Sequence, residues 1–240
     1  MEFSKSSVFK AGFVSLITLA SLGLVEPAKA ATIDFTSSSW NNFGDVSPNA
    51  NGGVSISTNA LLHDDFPNPD SDYNFSGNAA VESPDLENNL GVTPDIAATE
   101  GSGARNTTIS FSKEATLTFD WIFQTNENPG GLDSVKPEND YAFISINGIQ
   151  TTLADIAGSS FSPSASNYGN EVSGTFTTTL AAGNYDIAFG VVDREDFNRS
   201  SALIVSNADA EEVPEPLTIL GSVAAIAFGV KFKQKRSHKA

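Results

Sequence analysis

The sequence contains no cysteine and only two histidines, which removes several kinds of chemistry at the outset. Without cysteine the chain has no thiol nucleophile, no disulfide and no cysteine-ligated zinc. A histidine-based catalytic triad would have to use His63, because His238 lies in the basic C-terminal tail. His63 stands in the acidic run LLHDDF, a context typical of a surface turn. The sequence therefore marks out no thiol-based or histidine-based active site.

Basic residues are also scarce. The chain has 13 Lys and Arg against 29 Asp and Glu, and its formal net charge is −16. Most of the lysines and arginines lie near the two ends, so residues 31–212 are more acidic still. A strongly negative surface repels nucleic-acid phosphates and anionic lipids. Nucleic-acid binding is therefore the function that the charge disfavours most.

The chain does have an apolar run near its N-terminus, over residues 11–25. Lysines precede the run, and EPAKA follows it, with Ala28 and Ala30 as the small residues of a cleavage site. This order predicts a secretory signal peptide over residues 1–30, cut after Ala30 by signal peptidase. A transmembrane anchor is the alternative, but the run is short for a hydrocarbon core of ~30 Å.

The C-terminal end combines a proline motif, an apolar segment and a basic tail. The motif consists of Val213, Pro214, Glu215 and Pro216, and the uncharged segment 217–230 follows it. A helix over that segment would span about 21 Å. The basic residues behind it would stop translocation and hold the tail in the cytoplasm. The pattern predicts a C-terminal transmembrane helix.

These three parts, in this order over residues 213–240, resemble the PEP-CTERM sorting signal of bacterial surface proteins. The resemblance implies that an exosortase, a membrane protease, cuts at the Pro-Glu-Pro motif during export. It also implies that residues 217–230 anchor the chain in the inner membrane before that cut. An ordinary C-terminal anchor is the alternative, and it too leaves residues 31–212 outside the cytoplasm. We therefore expect an exported protein of the cell envelope or extracellular matrix.

Residues 31–212 have the pattern of many short strands. ATLTFDWIFQ alternates apolar and polar residues, and YAFISI and IQTTL flank Asn147-Gly148, a type I′ hairpin signal. GTFTTTLAAGNYDIAFGVVD predicts two more strands joined by a Gly-Asn turn, and the remaining predicted strands are ATIDF, GVSIST, NTTISF and SALIVSN. We predict an all-β, antiparallel, jelly-roll-like β-sandwich between an N-terminal signal helix and the C-terminal transmembrane helix.

Residues 59–106 are polar and rich in turn residues, and we expect a long loop region there. Disorder is one alternative. Four apolar side chains favour packing on the sandwich instead, namely Phe66, Tyr73, Phe75 and Ile96. Within this region SPDLENNL predicts one short helix with Ser83 as its N-cap.

Four segments between residues 76 and 210 resemble a class of exported bacterial β-sandwich domains found just before PEP-CTERM signals. They are ATEGSGA, TLTFDWIFQTNE, NDYAFISINGIQTTLAD and IAFGVVDREDFNRSSALIVSNA. The resemblance implies aromatic core strands and acidic loops of the kind read as calcium sites. It implies no defined enzymatic activity.

Two acidic loops follow predicted core strands, TNENPGGLDSVKPENDY and GVVDREDFNRS. Calcium prefers six to eight oxygen ligands from carboxylates, amides and carbonyls. If the loops meet at one edge of the sandwich, Glu127, Asp140 and Asp193 are the predicted ligands of a structural calcium ion, with Asn126 or Asp196 in addition. The alternative is that these carboxylates only solvate an acidic surface and pair with nearby arginines.

The leading functional hypothesis is a non-enzymatic surface or matrix protein that binds or organises envelope polysaccharide. Trp40 and Tyr168 stand in polar contexts and are candidates for stacking on sugar rings, although aromatic side chains mostly pack. The enzymatic alternative is a two-carboxylate glycosidase or lyase acting on exopolysaccharide, but no pair of carboxylates is marked out. A third hypothesis is a self-assembling matrix subunit, which an exposed long edge strand would favour.

Overall fold

The computed structural model of the chain describes residues 30–49, 52–61, 74–127, 139–195, 197 and 199–213. These residues belong to one compact unit, Ala28–Val213. The predicted signal helix, and the predicted transmembrane helix over 217–230, fall on residues outside the described ones. Within the described ranges, no helix has the length and apolar character needed to cross a membrane.

The described part of the chain is built almost entirely of strands. In chain order the elements are β1 (Ala30–Thr32), β2 (Asn41–Phe43), β3 (Asp45–Pro48), β4 (Val54–Ser57), β5 (Val81–Glu82), α1 (Asp85–Leu90), β6 (Ala98–Phe111), β7 (Ala115–Thr125), β8 (Tyr141–Ile146), β9 (Ile149–Asp155), β10 (Ser162–Pro163), β11 (Asn170–Leu180), β12 (Gly183–Arg194) and β13 (Ser201–Glu212). The prediction of an all-β protein is confirmed.

The strands form two antiparallel sheets. Sheet A has the order β10-β11-β7-β13-β4-β3, with β1 paired to β13. Sheet B has the order β2-β6-β12-β8-β9, with β5 paired to β6. Every strand pair is antiparallel. Short connections join the strands of the pairs β3–β4 and β8–β9, whereas pairs such as β7–β13 and β6–β12 bring distant segments of the chain together.

The main core lies between the two sheets. The alternation along β7 turns Leu117, Phe119 and Phe123 inward, and all three are fully buried. They belong to the same cluster as Ile144 and Phe189 of sheet B. The rings of Phe119 and Phe189 meet edge to face with their centroids 5.1 Å apart. Burying each such side chain contributes about 1.5–3 kcal/mol.

The predicted Asn147-Gly148 hairpin is confirmed, because both residues have the positive φ that a type I′ turn requires, 52° and 78°. The predicted Gly-Asn turn after β11 is wrong. The connection is Ala181 and Ala182, and Gly183 already begins β12. The chain crosses between sheets at this point, since β11 pairs in sheet A and β12 in sheet B.

Part of the predicted loop region, residues 59–106, is regular structure. It contains β5, helix α1 and the first half of β6, which begins at Ala98. The predicted short helix is present as α1, but Ser83 is not its cap. The N-cap is Pro84, and the Ser83 hydroxyl instead donates to the Glu87 carboxylate over 3.0 Å.

Of the apolar residues expected to pack in this region, Phe75 does so and Ile96 does not. The Phe75 ring stacks on the Tyr168 ring at a centroid distance of 6.2 Å. The backbone around Phe75 is held by Asp45, a fully buried carboxylate that accepts the N–H groups of Phe75 and Ser76. Ile96 is fully exposed. Phe66 and Tyr73 lie outside the described residues.

Helix α1 covers part of the outer face of sheet B. Leu86 and Leu90 of the helix are buried against Tyr141 and Phe143 in a second, smaller apolar cluster. The close approach needs glycine beneath the helix, because a Cβ atom on Gly103 would lie 2.6 Å from a Leu90 methyl carbon. Sheet B is therefore packed on both faces along this stretch.

Candidate functional site

An open cavity of about 280 Å³ lies on the outer face of sheet B, next to the segment that follows helix α1. We call this cavity the trough. Its lining residues are Thr93, Asp95, Asn139, Tyr141, Gln150, Thr152, Asp155 and Arg194. Every one of these side chains carries a hydrogen-bond donor or acceptor. The trough is therefore a polar surface with many directional contacts.

The hairpin of β8 and β9 forms one side and the floor of the trough. Tyr141 lies directly opposite Asp155, and Thr152 lies opposite Phe143. Because alternate residues of a strand share a face, Gln150 and Thr152 lie on the face where Phe143 meets helix α1. Their backbones are fixed in the sheet ladder, so these side chains start from a rigid base.

The opposite wall is tied to the end of β12 by an ion pair. Arg194 Nε donates to Asp95 Oδ2 over 3.1 Å, and the other Asp95 oxygen accepts the N–H of Ala97 over 3.0 Å. Both charged side chains are partly exposed, so the pair contributes no more than about 1 kcal/mol. Its main effect is to orient the guanidinium and carboxylate at the mouth of the trough.

Tyr141 at the floor keeps its proton well beyond neutral pH. Burial is the main reason that the pKa of its phenol is raised to about 12, and the negative charge of Asp95 raises it further. A hydrogen bond with Gln150 acts in the opposite direction. The phenol is therefore a neutral group that can both donate and accept a hydrogen bond.

The far end of the trough is held by its own loop. Asn139 Oδ1 accepts the N–H of Ala157 over 2.9 Å, and Asp155 Oδ1 accepts the N–H of Gly158. The backbone carbonyl of Asp155 accepts the N–H of Ser159 over 3.3 Å. The groups that line this end are thus positioned in the free protein.

Amide, carboxylate, guanidinium and hydroxyl groups together suit a ligand that carries many hydroxyls. Each hydroxyl of such a ligand is both a donor and an acceptor, and the trough offers both kinds of partner. Asp95 and Asp155 outnumber Arg194 in the lining, so the trough has an excess of negative charge. A polyanionic ligand is disfavoured for that reason.

Trp40 was a candidate for stacking on sugar rings, and the structure places it inside the molecule. It is only 7% exposed. Its ring packs against Phe35 and Phe189, with centroid distances of 4.5 and 6.0 Å. It borders a second cavity of about 290 Å³, whose lining also includes Asp34 and Asn106. Packing, the alternative that was weighed against stacking, describes Trp40.

Tyr168, the other candidate for stacking, is 2% exposed. One of its ring faces is taken by Phe75, and both rings pack near Ala202 in a small apolar cluster. The ring has no open face for a sugar in this arrangement, so packing describes it as well.

The predicted calcium ligands are all buried: Glu127 is 2%, Asp140 1% and Asp193 1% exposed. A hydrogen-bonded chain links the first two across the sheets. Ser201 Oγ of sheet A donates to Asp140 Oδ2 over 2.6 Å and lies 2.9 Å from Thr125 Oγ1. Thr125 Oγ1 in turn accepts the N–H of Glu127 over 2.9 Å.

Asp193 lies at the same end of the sandwich, since the backbone N–H of the next residue, Arg194, donates to Asp140 over 3.2 Å. Glu127 pairs with Arg199 over 3.4 Å. In the ranges that the structure describes, no three His, Asp or Glu side chains form a group that could hold a metal ion. Asn126 donates its backbone N–H to Ser200, and Asp196 lies outside those ranges.

The residues of the predicted export signals lie mostly outside the described residues. Val213 is described: its N–H donates to the Glu114 carbonyl over 2.7 Å, which holds the strand end against sheet A. Ala30 is the first residue of β1. Ala28 and Pro214, Glu215 and Pro216 are not described.

The sequence did not point to the trough, because its residues come from separate segments of the chain. The period-two pattern of Gln150 and Thr152 in β9 was visible, but it indicates only that both lie on one face. The fold supplies the other wall, which comes from residues 93–95 after the helix and from the end of β12.

Neither the protein-family models nor the curated proteins contain a match to this chain. Among solved structures, the chain is similar to the K1 cleaved adhesin domain of Lys-gingipain from Porphyromonas gingivalis W83. The sequence identity is 11% and the TM-score is 0.35, and the match covers 78% of this chain and 98% of that one. It is also similar to TmCBM27, a carbohydrate-binding module that recognises mannan, with 14% identity, coverage of 78% and 97%, and a TM-score of 0.36. At these scores the likeness does not assign a function.

Proposed function

We propose that this chain is an exported, exosortase-sorted protein of the cell surface or extracellular matrix. Its jelly-roll-like sandwich binds polysaccharide through the trough and does not cleave it. The observation that carries the proposal is the trough itself, an open cavity of about 280 Å³ lined wholly by hydrogen-bonding side chains from sheet B and its adjoining loops. No single side chain supplies the affinity, so recognition depends on several weak contacts acting together.

Polysaccharide is the ligand class that the shape and lining support. The trough is open rather than enclosed, so a long chain can lie across it without threading. Its floor is a neutral phenol, Tyr141, and its walls offer the Gln150 amide and the Arg194 guanidinium. A neutral polysaccharide fits better than a uronic-acid polymer, because the trough and the whole chain carry excess negative charge.

The test is binding of soluble polysaccharides by isothermal titration calorimetry, with a mannan and a β-glucan as neutral probes and alginate as the anionic probe. Gln150→Ala and Thr152→Ala each remove one hydrogen-bonding group from the trough. Each change is expected to weaken binding of a neutral probe by about 1 kcal/mol, or roughly fivefold. Thr107→Ala is the matched control, because Thr107 is an exposed strand threonine outside the trough.

If Thr152→Ala and Thr107→Ala lost equal affinity for the probe, the ligand would bind outside the trough. Binding of alginate in preference to the neutral probes would contradict the charge argument. Unchanged binding of a neutral probe in both trough variants would remove the trough from the proposal.

One observation favours the enzymatic alternative, since Asp95 and Asp155 both line the trough. Glycoside hydrolysis needs two such carboxylates, one of them a proton donor. Asp95 is instead held by the Arg194 guanidinium and by a backbone N–H, so both of its oxygens already accept a hydrogen bond. We therefore expect no new reducing ends when the protein is incubated with the polysaccharide that it binds. Cleavage that is lost in Asp155→Asn would establish the alternative.

We also propose structural calcium at the end of the sandwich that holds Glu127, Asp140 and Asp193. Support comes from burial, because these carboxylates and the neighbouring Glu100 are all less than 5% exposed. Burying like charges together costs free energy, which a divalent cation offsets. A ligand bound only by the native state raises the melting temperature. Calcium chloride should therefore raise it relative to EDTA and to magnesium chloride, and an unchanged temperature would exclude the ion.

Export and sorting rest on the order of sequence parts at the two ends. Mass spectrometry of the native mature protein tests both cuts at once. We expect an N-terminus at Ala31 and a C-terminus near the Pro214–Pro216 motif. Recovery of the chain with Met1 and Ala240 intact would contradict both cuts.

A further inference from the structure

Strand β11 borders sheet A and has one open side. On its inner side it pairs with β7 along its whole length, from Asn170 opposite Thr125 to Leu180 opposite Ala115. On its outer side the described partner is the short β10, which reaches only Asn170 and Glu171. In the described part of the chain, no strand pairs with the outer side of residues 172–180.

This open stretch lacks the features that normally protect a border strand. Proteins protect such strands with charges, proline, bulges or short length. Residues 172–180 read VSGTFTTTL, with no charge and no proline, and their register with β7 has no irregularity. The other borders differ: β3 contains Asp45 and ends at Pro48, and β9 ends at Asp155 and pairs irregularly with β8.

The charge of the molecule singles out this stretch for contact between copies. Two copies with a formal net charge of −16 repel each other over most of their surfaces. An uncharged border strand is a place where they meet without opposing carboxylates. We propose that β11 pairs with β11 of a second copy, antiparallel about a two-fold axis, so that sheet A continues from one copy into the other.

A symmetric register exists that satisfies the side chains as well as the backbone. With the axis at Phe176, Thr175 of one copy lies opposite Thr177 of the other. Val172 then lies opposite Leu180, and each pair consists of residues from the same face of the sheet. Threonine–threonine pairs and pairs of apolar side chains are favourable across strands. Glu171 lies beyond the paired stretch, because its outer side is already taken by β10, so no carboxylate faces another.

The inward side of this register is also compatible with the core. Phe176 points into the sandwich, where its ring stacks on Phe119 with the centroids 5.0 Å apart. It therefore packs within its own copy and does not obstruct the second one. The outward residues Thr175, Thr177 and Thr179 are exposed, and the hydroxyls of Thr175 and Thr177 also bond to Asp120 and Thr118 of β7. The interface is isologous, so it closes at a dimer and does not extend into a fibre.

The test is sedimentation equilibrium of the purified protein over a range of concentrations. We expect a reversible dimer. Thr177→Glu places an added charge at the centre of the interface and should raise the dissociation constant at least roughly tenfold. Thr116→Glu is the matched control, because Thr116 lies on the same outward face but one strand inside the border. The dissociation constant of the Thr116→Glu dimer should equal that of the wild type.

Hydrogen exchange gives an independent readout. Backbone amides within residues 172–180 should become more protected as the wild-type protein is concentrated, and the same amides of Thr177→Glu should not. A wild-type protein that stays monomeric overturns the proposal. A dimer weakened equally by both glutamate variants, or by neither, also overturns it, because the contact would then lie on another surface. Circular dichroism confirms that both variants are folded before they are compared.

Discussion

The outer faces of the two sheets differ in what covers them. On sheet B, helix α1 buries Leu86 and Leu90 against the strands, and the segment after the helix forms one wall of the trough. The described helix contacts β5, β6 and β12, which all belong to sheet B. The outer face of sheet A instead carries a row of threonines, including Thr116 and Thr118 on β7 and Thr175 and Thr177 on β11.

This difference changes the behaviour of ionisable groups on the two faces. Burial on the covered face raises the pKa of Tyr141 to about 12. On the bare face, hydrogen bonds from Asn207 and then Thr175 lower the pKa of Asp120, which stays in contact with water. A half-covered sheet face thus produces a recessed polar site, whereas an uncovered one produces a solvated surface with local hydrogen bonds.

The largest expected effect on stability comes from weakening the packing of helix α1 on sheet B. Leu90→Ala deletes a side chain that is 1% exposed between helix α1 and sheet B. It should lower the free energy of unfolding by about 2–5 kcal/mol, because it loses apolar burial and leaves a cavity. Urea unfolding measures the change. Thr116→Ala on the bare face is the control and should stay within about 0.5 kcal/mol of the wild type.

If Leu90→Ala and Thr116→Ala lowered the free energy of unfolding by similar amounts, helix α1 would not be part of the core. Loss of polysaccharide binding in Leu90→Ala, with a retained fold, would show in addition that the helix supports the trough wall.

A smaller effect on the free energy of unfolding is expected from the titration of Tyr141 on the outer face of sheet B. Its pKa is raised to about 12 in the folded state, so the native protein holds this proton more tightly than the unfolded chain does. The resulting stability is fully present below the unfolded pKa of about 10 and is lost as pH rises through 12. It amounts to at most about 3 kcal/mol. Melting temperatures between pH 9 and 12 should therefore fall more steeply in the wild type than in Tyr141→Phe.

Parallel pH profiles for the wild type and Tyr141→Phe would contradict this account. Ultraviolet absorbance checks it separately, because one phenol should ionise well after the solvent-exposed ones.

Local patterns predicted the strands well and their assembly poorly. The alternation in β7 and the Asn147-Gly148 turn act within one or two strands, so the residues themselves determine them. The assignment of β11 and β12 to different sheets depends on which distant strand each one meets, and no residue near the turn encodes that choice. The trough was missed for the same reason, since Asp95 and Arg194 meet only after the sheets have formed.

Polar context also misled the reading of single aromatic residues. Trp40 and Tyr168 have polar neighbours in sequence, yet both are buried, because the apolar partners Phe189 and Phe75 come from distant parts of the chain. Sequence neighbours describe exposure well in a strand with a strict period of two. They describe it poorly in connections, where the contact is set by the fold.

The smallest expected effect lies on the bare face, at Asp120. Its carboxylate accepts hydrogen bonds from Asn207 over 2.8 Å and from Thr175 over 2.6 Å, and these bonds lower its pKa. A lowered carboxyl pKa adds stability that is present above the unfolded pKa of about 3.9 and is lost as pH falls through the folded pKa. Thr175→Ala removes one of the two donors, so the pKa of Asp120 should rise towards its ordinary value. Thr179→Ala, on the same face but without a bond to Asp120, should leave that pKa unchanged. NMR titration of the Asp120 side chain distinguishes the two, and equal shifts in both variants would mean that the general charge of the face, not these hydrogen bonds, sets the pKa.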